Sequence, residues 1–517
     1  MRRLFLATWW LVVLLGPASG ATEGPTGEKP IWLVVTRPMF VGAIQPLAER
    51  RAKEGFETVI STESPEKAVA GLKRRPAFVV MVGDDLAPGS ADQPWSVPMR
   101  RMELYRWQGM QAKTFASDMA WGDVDGDGMP DMPVSRMPVR TVEEVKRMIG
   151  KIVAWEERPV SVNDLSLSVW AGVPGYGPEI DSMATGLLLS TVEGSAPSWA
   201  EMWAISCDRS SPYCGWPADQ PAMFDGQARK GGLFLCMIGH GGPGIFPAMG
   251  GGSSYDTRHA AQAFAKGPPA PPLVVIACHC GNCSDGNGCL TRTFVLAPGG
   301  PVAAIGATTE SHPLTNFYSG GCFLESLGSP GDKRIGSMWL DSERRARKAY
   351  NFLVEPILLD VEGKLEDRLN VEKLRRDQTL MYEILGDGAT RLRTTMPMKV
   401  NVTHDADGWH WRADKPADAT ELNVGLRPES AGPPPVEGTP DREQARKNFI
   451  AANAGFVFQP IAKLPAGTAW QGTVAKPGTL RLVATGPGKF YVATSELKEK
   501  KATTGGTGTP PDTPTPK

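Results

Sequence analysis

The sequence predicts an α/β protein with a parallel sheet, followed by a smaller β-sandwich domain. Upstream of residue 397, short apolar runs alternate with segments of helical periodicity, which is the pattern of parallel strands joined by crossover helices. From about residue 397 onwards, Gly, Pro and alternating apolar residues are instead typical of short antiparallel strands. A length of 517 residues agrees with about three domains.

The N-terminal residues have the pattern of an export signal. Arg2 and Arg3 precede an apolar stretch from Leu4 to Leu15, and small residues end the segment at Ala21. That stretch is too short to span a bilayer, and no later run is long enough to do so. The sequence therefore predicts a cleaved signal peptide, no membrane span, and a secreted or periplasmic chain.

The first α/β unit is predicted from a strand, a helix and a second strand. The strands are Ile31–Val35 and Ala77–Val82, with a helical pattern over Gln45–Lys53 between them. A further helix begins behind Thr141, because Thr141 and Glu144 have the spacing of a capping box. Apolar residues then recur at helical spacing as far as Trp155.

The second α/β unit contains the segments that carry the chemistry. Its helices are predicted over Asp256–Ala265 and Glu343–Val354. Its strands are predicted over Leu165–Trp170, Leu233–Ile238, Leu273–Ala277 and Val302–Ala307. The last segment of the chain is rich in Lys, Thr, Gly and Pro and is expected to be disordered. The resulting organisation is a signal peptide (1–21), an N-terminal subdomain (22–160), a catalytic subdomain (161–396), a β-domain (397–497) and a tail (498–517).

Two side chains capable of catalysis follow two of these strands. His240 lies in Gly239-His240-Gly241-Gly242 after one strand, and Cys278 follows the next. Because the carboxyl ends of parallel strands form the reactive crevice of an open sheet, the imidazole and the thiol are expected to meet there. The glycines let a substrate backbone approach, and they leave the Gly241 N–H free for a developing oxyanion. The alternatives are that His240 is an ordinary loop residue and that Cys278 is packed or bridged.

The other cysteines indicate an oxidising compartment. Cys278 has to stay reduced to react, and Cys236 lies inside a predicted strand. The remaining six are expected in disulfides, whose connectivity the sequence does not determine: Cys207, Cys214, Cys280, Cys283, Cys289 and Cys322. The crowding of Cys278, Cys280, Cys283 and Cys289 beside His279 leaves a zinc cluster as an alternative. The formal net charge of −1 gives no electrostatic attraction to nucleic acid.

An acidic loop lies upstream of the capping box. Asp123, Asp125, Asp127 and Asp131 supply oxygen ligands at the spacing that Ca²⁺ requires, with Gly126 where the loop turns. Val134 stands where an EF-hand loop carries its bidentate Glu, so a shorter loop is the better match. The alternative is a solvated acidic turn.

These motifs together resemble the gingipain-like cysteine peptidases, which share a fold with caspases and legumains. Order and spacing agree over roughly residues 30 to 395. The matching segments are Asp125–Asp131, Pro133–Thr141, Ala154–Glu156, Gly239–Gly242, Ile276–Cys278, Ala304–Thr309 and Leu385–Leu392. The resemblance implies a caspase-like sandwich of parallel-sheet subdomains with helices on both faces, followed by a small all-β, immunoglobulin-like domain.

The resemblance also implies roles for individual residues. His240 is the expected general acid/base, Cys278 the nucleophile, and the N–H groups of Gly241 and Cys278 the oxyanion donors. The family carries a carboxylate behind the His in a Gly-rich turn, but residues 171–176 contain no acid. Glu179 is one substitute for it, and a Cys-His dyad is the other.

Primary specificity is expected from Asp181, at about the position of the pocket acid in members that cleave after Arg or Lys. A carboxylate there pairs with a basic side chain, with Thr308 and Thr309 along the same pocket. The alternative for Asp181 is a helix cap.

The sequence thus predicts a secreted cysteine endopeptidase with a structural Ca²⁺ ion and protein or peptide substrates. A non-catalytic scaffold and a peptide-joining acyl transferase are the alternatives. The oligomeric state is not predicted.

Overall fold

The computed structural model describes most of the chain between residues 28 and 498. The described residues are 28–105, 113–175, 177–247, 254–284, 288–329, 333–352, 354–360, 370–393, 395–429, 432, 436, 438 and 440–498. The predicted signal peptide and all but the first residue of the predicted tail lie outside them. Within these ranges, no helix has both the length and the apolar character that crossing a membrane requires.

A central sheet of ten strands runs through the described residues 31–385. In chain order its strands are β1 (Ile31–Thr36), β2 (Glu57–Ser61), β3 (Phe78–Val82), β4 (Val134–Met137), β5 (Ser166–Ala171), β6 (Glu201–Ser206), β7 (Phe234–Ile238), β8 (Leu273–Ile276), β9 (Ala304–Ala307) and β10 (Tyr382–Leu385). Their order across the sheet is β2-β1-β3-β4-β10-β9-β8-β7-β5-β6. The two α/β units predicted from the sequence therefore share one continuous sheet.

The sheet consists of two parallel halves that run in opposite directions. Every neighbouring pair is parallel except β9 and β10, which pair antiparallel at the centre. Strand β10 comes late in the chain but completes the first half beside β4. Asp387 fixes it there, because its buried carboxylate accepts hydrogen bonds from Trp32 Nε1 at 3.1 Å and Arg51 Nε at 2.8 Å. These two donors lie on β1 and on the helix that follows it.

Helices cover both faces of the sheet, as predicted. They are α1 (Val41–Lys53), α2 (Pro65–Ala70), α3 (Val142–Glu157), α4 (Pro178–Ser195), α5 (Gln220–Lys230), α6 (Thr257–Ala263), α7 (Leu290–Leu296), α8 (Pro313–Leu327), α9 (Ile335–Ala346), α10 (Val354–Asp360) and α11 (Val371–Met381). Residues of α1, α3, α6 and α7 join the apolar core on one face, and residues of α8, α9 and α11 join the core on the other. The predicted capping box at Thr141 is present.

Shorter elements complete this region. Two ribbons pair Arg100–Glu103 with Thr114–Ser117 and Ile245–Phe246 with Tyr255–Asp256. Turns of 3-10 helix span Pro38–Phe40, Met119–Trp121, Val162–Leu165 and Pro217–Asp219.

The helix predicted over Glu343–Val354 is displaced in the structure. Helix α9 begins at Ile335 and ends at Ala346, with Met338 and Trp339 buried on its inner face. Tyr350 and Phe352, inside the predicted range, are largely exposed beyond the helix end. The prediction was wrong because these two side chains do not belong to the core.

The C-terminal region contains the predicted strands and one additional helix. Its strands are β11 (Thr395–Pro397), β12 (Val400–Asp405), β13 (Gly408–Ala413), β14 (Glu421–Pro428), β15 (Gln459–Pro465), β16 (Gln471–Val474), β17 (Gly478–Gly486) and β18 (Lys489–Leu497). They form sheets of order β11-β18-β17-β14-β15 and β12-β13-β16. Helix α12 (Arg442–Ala454) packs on β6, where Asn453 pairs with both main-chain polar groups of Ala204 at 2.8 and 3.1 Å.

Candidate active site

Three neighbouring strands of the second half end at the same level. Ala171 at the end of β5 is in register with Ile238 at the end of β7, and Ile238 is in register with Ile276 of β8. Main-chain hydrogen bonds continue past these residues, from Gly172 N to Ile238 O at 2.7 Å and from Gly239 N to Ile276 O at 3.1 Å. The loops that carry His240 and Cys278 therefore leave the sheet side by side, as the sequence predicts.

The two loops are in direct backbone contact. A Cβ atom at Gly241 would overlap the main-chain oxygen of Cys278 and come within 2.7 Å of Cys280 Sγ. On the other side, a Cβ at Gly239 would lie 3.1 Å from the Cα of Gly172, in the turn after β5. Only glycine can occupy positions where two backbones lie this close, because a Cβ atom would force the neighbouring backbone to move. The contact brings the histidine loop and the cysteine loop together.

His240 is exposed, and its ring contacts the turn after β5. Its Nε2 atom is hydrogen-bonded to the main-chain oxygen of Pro174. A carbonyl only accepts, so this pairing places the ring proton on Nε2 and leaves Nδ1 as the basic nitrogen of a neutral imidazole. Pro174 lies in the turn after β5, and it contacts the His240 ring through a main-chain carbonyl. The side chain of Glu179 lies outside the described residues.

Cys278 is half-buried, and its sulfur faces the loop that follows β9. The Ser311 N–H donates to Cys278 Sγ at 3.4 Å, and the Ser311 main-chain oxygen and Oγ lie 3.6 and 3.8 Å from the same sulfur. The next residue, His279, has φ of +60°, the left-handed region that side chains with a Cβ rarely adopt. Its N–H donates to Thr309 O at 3.0 Å, which fixes the cysteine loop against the end of β9.

The neighbouring cysteines do not share the environment of Cys278. Cys280 is buried and directs its thiol to the main-chain oxygens of Gly242 and Ile245 at 3.6 and 3.9 Å. Burial also raises the pKa of the Cys280 thiol. Cys283 and Cys289 are buried with their sulfur atoms 3.5 Å apart.

The structure contains no disulfide among the eight cysteines, all of which lie in its described part. The disulfide prediction is therefore not confirmed. The described residues also gather no metal-binding group that includes a cysteine, which gives the zinc alternative no support.

The residues expected in the specificity pocket are mostly buried. Asp181 lies in the first turn of α4, only 8% exposed, and its N–H donates to Gly177 O at 2.8 Å. Thr308 Oγ1 donates to Ala116 O at 2.7 Å, so this hydroxyl is directed toward the Thr114–Ser117 strand. Thr309 Oγ1 donates to the adjacent Glu310 at 2.6 Å. Both hydroxyls have protein partners, and it is the main chain of Thr309 that contacts the cysteine loop.

The acidic loop brings together three of its four predicted carboxylates. Ligand oxygens of Asp123, Asp125 and Asp127 lie within 4.8 Å of one another. Partial burial raises the pKa of Asp123, and the charges of the other two carboxylates raise it further. Asp131 is directed elsewhere, to the Val124 N–H at 3.1 Å and to Arg75 at 2.7 Å.

Sequence reasoning missed two groups at this site. The Pro174 main-chain oxygen has no signature in the residue type, because every residue carries a carbonyl. Ser311 follows β9 at the same edge as Cys278, so the rule that located His240 and Cys278 also applies to it. A serine in a polar loop gave no reason to apply that rule.

An exposed imidazole and a half-buried thiol, on touching loops at the carboxyl ends of adjacent strands, are the groups that cysteine hydrolases use. With this fold, they define a cysteine-type peptidase. The sequence profile of peptidase family C25 matches residues 26–393, and the chain belongs to this family.

Solved structures show the same fold over nearly the whole chain. A crystal structure of the Arg-specific cysteine proteinase gingipain R (RGPB) matches with a TM-score of 0.54 and 14% identity, covering 92% of this chain and 99% of that one. The complex of Porphyromonas gingivalis RgpB pro- and mature domains matches with a TM-score of 0.52 and 13% identity, covering 90% and 100%. None of the curated proteins compared with the chain matches it.

Gly241→Ala is expected to lower kcat/KM for peptide hydrolysis by roughly 100-fold, because the added methyl group overlaps the Cys278 carbonyl and separates the two loops. Gly244→Ala in the same loop is the matched control, since a Cβ there lies 3.6 Å from its nearest neighbour, Thr257. Steady-state kinetics of both variants measures the effect. Equal activities would show that the loop contact does not position the site.

Proposed function

We propose that the chain is a secreted or periplasmic cysteine endopeptidase in which Cys278 is the nucleophile and His240 the general acid/base. The observation that carries the proposal is the backbone contact between Gly241 and Cys278. It supports one cleft that contains both groups and two oxyanion donors, the N–H groups of Gly241 and Cys278.

Catalysis follows from the chemistry of these groups. The Cys278 thiolate attacks the scissile carbonyl carbon, and the oxyanion is stabilised by the two N–H groups. The protonated imidazole of His240 then donates its proton to the departing amine. Water attacks the resulting thioester, His240 accepts its proton, and the carboxylic acid product leaves with the thiol restored.

Pro174 is proposed to set the orientation of the His240 ring. Its carbonyl oxygen accepts the Nε2 proton, which directs the basic Nδ1 away from the turn after β5. The enzyme then works as a Cys-His dyad with main-chain support. A role for Glu179 remains a prediction.

Cys278→Ala is expected to lower proteolysis by roughly 1000-fold or more, because the nucleophile is lost. Cys322→Ala is the matched control, a second half-buried cysteine on α8. Iodoacetamide should label Cys278 selectively, because burial raises the pKa of Cys207 to about 11 and of Cys322 to about 12. His240→Ala should slow that labelling. Full proteolysis by Cys278→Ala would refute the assignment of the nucleophile, whereas a parent protein that cleaves no peptide would favour the non-catalytic scaffold.

Primary specificity for Arg or Lys is proposed to come from Asp181. The support is its position in the first turn of α4, the helix that follows β5 along the chain, and its low exposure, which strengthens pairing with a cation. The gingipain R structure is that of an Arg-specific cysteine proteinase, which agrees with this assignment. Thr308 and Thr309 stay predicted pocket residues, although their hydroxyl groups and main-chain groups bond to other parts of the protein.

Asp181→Asn is expected to lower kcat/KM for substrates with Arg or Lys before the scissile bond by roughly 10- to 100-fold, because a charge-assisted hydrogen bond is lost. Glu193→Gln on the exposed face of α4 is the control. Cleavage of a peptide library by the parent and both variants measures the preference. A parent enzyme that does not prefer basic residues would remove Asp181 from the pocket.

A structural Ca²⁺ ion is proposed in the acidic loop, held by Asp123, Asp125 and Asp127. The three carboxylates fit a hard cation, because partial burial and then the charges of the other two carboxylates raise the pKa of Asp123, and a divalent charge would offset that repulsion. Gly126 and Gly128, both with φ of +79°, make the turns that bring them together. The contacts of Asp131 with Val124 and Arg75 support a role in closing the loop.

Calcium is expected to stabilise the protein by about 2.7 kcal/mol at a free concentration 100 times Kd, because the ion binds only the folded loop. Thermal unfolding with Ca²⁺ and with a chelator measures the difference. Asp125→Asn should reduce it, whereas Asp407→Asn, an exposed acid in the turn after β12, should not. Identical unfolding temperatures with and without Ca²⁺ would contradict the proposed ion site and favour the alternative that the loop is a solvated acidic turn.

A further inference from the structure

The loop after β9 contacts the sulfur of Cys278 through a buried polar residue. Ser311 is 3% exposed, and three of its polar atoms lie 3.4 to 3.8 Å from Cys278 Sγ. Its N–H is a donor and its carbonyl an acceptor, while its hydroxyl can be either. The consequence for the thiol depends on which way the hydroxyl points.

Asn316 determines that direction. Its Oδ1 accepts hydrogen bonds from Tyr382 OH at 2.8 Å and from Gln378 Nε2 at 3.1 Å. Its Nδ2 is thereby directed to Ser311 Oγ, where it donates at 2.8 Å. Because the Ser311 oxygen accepts from Asn316 and the Tyr382 hydroxyl donates to Asn316, the Ser311 proton is left to two acceptors, the sulfur of Cys278 and the Tyr382 oxygen. Burial raises the pKa of Tyr382, so the phenol stays protonated and the orientation of the amide is stable.

We propose that Ser311 stabilises the Cys278 thiolate with two hydrogen bonds, from its N–H and its O–H, and that Asn316 positions the hydroxyl group. The inference rests on the proposed nucleophilic role of Cys278. Ser311 touches the reacting atom and is in that sense catalytic. Asn316 acts only through Ser311 and is a positioning residue.

The strengths of the hydrogen bonds from the Ser311 N–H and O–H favour the thiolate of Cys278 over its thiol. In the neutral form, Cys278 donates its weak S–H to the Ser311 carbonyl. When that proton passes to the His240 imidazole, the sulfur gains a negative charge and accepts from both donors. Hydrogen bonds to an ionised group are about twice as strong as those between neutral groups. The N–H and O–H of Ser311 therefore shift the equilibrium toward the nucleophilic form, against the loss of the S–H bond to the Ser311 carbonyl.

The other titratable groups around the sulfur of Cys278 comprise two buried, uncharged groups, one His–Glu pair and His240. Tyr382 on β10 and Cys280 on the same loop as Cys278 are its titratable neighbours, and burial raises the pKa of both, so they carry no charge near neutral pH. His279 and Glu310 form a pair at 3.7 Å on the loops after β8 and β9, and His240 lies on the adjoining loop. Substitution of Ser311 leaves all these groups in place, which isolates the effect of its hydroxyl.

The test is the pH dependence of Cys278 alkylation by iodoacetamide, followed by peptide mapping. Ser311→Ala and Asn316→Ala are each expected to slow labelling at pH 6 by about 3- to 10-fold, with little change at pH 10, where the thiol ionises unaided. They should also lower kcat while KM changes little. Ser337→Ala, an exposed serine on α9, is the control and should match the parent.

The outcomes separate this inference from the proposed function. A parent protein that hydrolyses peptides, with an alkylation profile that both variants leave unchanged, would refute the role of Ser311 alone. A parent protein in which Cys278 reacts like an ordinary exposed cysteine and no peptide is cleaved would refute the proposed function. Unfolding temperatures equal to that of the parent exclude misfolding of a variant as the cause of slower labelling.

Discussion

The architecture of the candidate site depends on one steric requirement: three loops must touch through their backbones. Gly172, Gly239 and Gly241 meet this requirement because each lacks a Cβ where another main chain lies within contact distance. The parallel register of β5, β7 and β8 brings the loops to one level, and the glycines then let them close together. The positions of the imidazole and the thiol are thus set by packing of the main chain.

Strand direction explains why the candidate site lies on one half of the sheet only. Strands of the first half run in the opposite direction, so their carboxyl ends lie at the other edge. The acidic loop precedes β4, so it lies at the amino end of a first-half strand and at the same edge of the sheet as the loops after β7 and β8.

Local sequence patterns were sufficient for elements with a local cause and insufficient for those set by distant contacts. The predicted strand at Leu233–Ile238 and the capping box at Thr141 both occur. An apolar run and a short hydrogen-bonded motif are determined by residues that are adjacent in the sequence. Strand β10 was not predicted, because its place is determined by Trp32 and Arg51 acting on Asp387. Helix α12 was not predicted either, since its packing partner Ala204 is far away in sequence.

The residues of the candidate site also divide into those that the sequence predicted and those that depend on distant contacts. His240 and Cys278 were predictable, because their side-chain chemistry and their place after strands are both visible in the sequence. The separation of Cys280 from Cys278 was not, because the sharp turn at His279 directs the two thiols to different loops. The contact between His240 and Pro174 involves a main-chain atom and leaves no trace in residue type.

The late position of β10 in the chain has a consequence for how the molecule forms. Until residues 382–385 have been synthesised, β4 and β9 each present an unpaired edge at the middle of the future sheet. Unpaired edges of apolar strands are templates for association with other chains. The two halves can begin to order during translation, but they become one sheet only when nearly three quarters of the polypeptide exists, which makes closure of the sheet a late and long-range step.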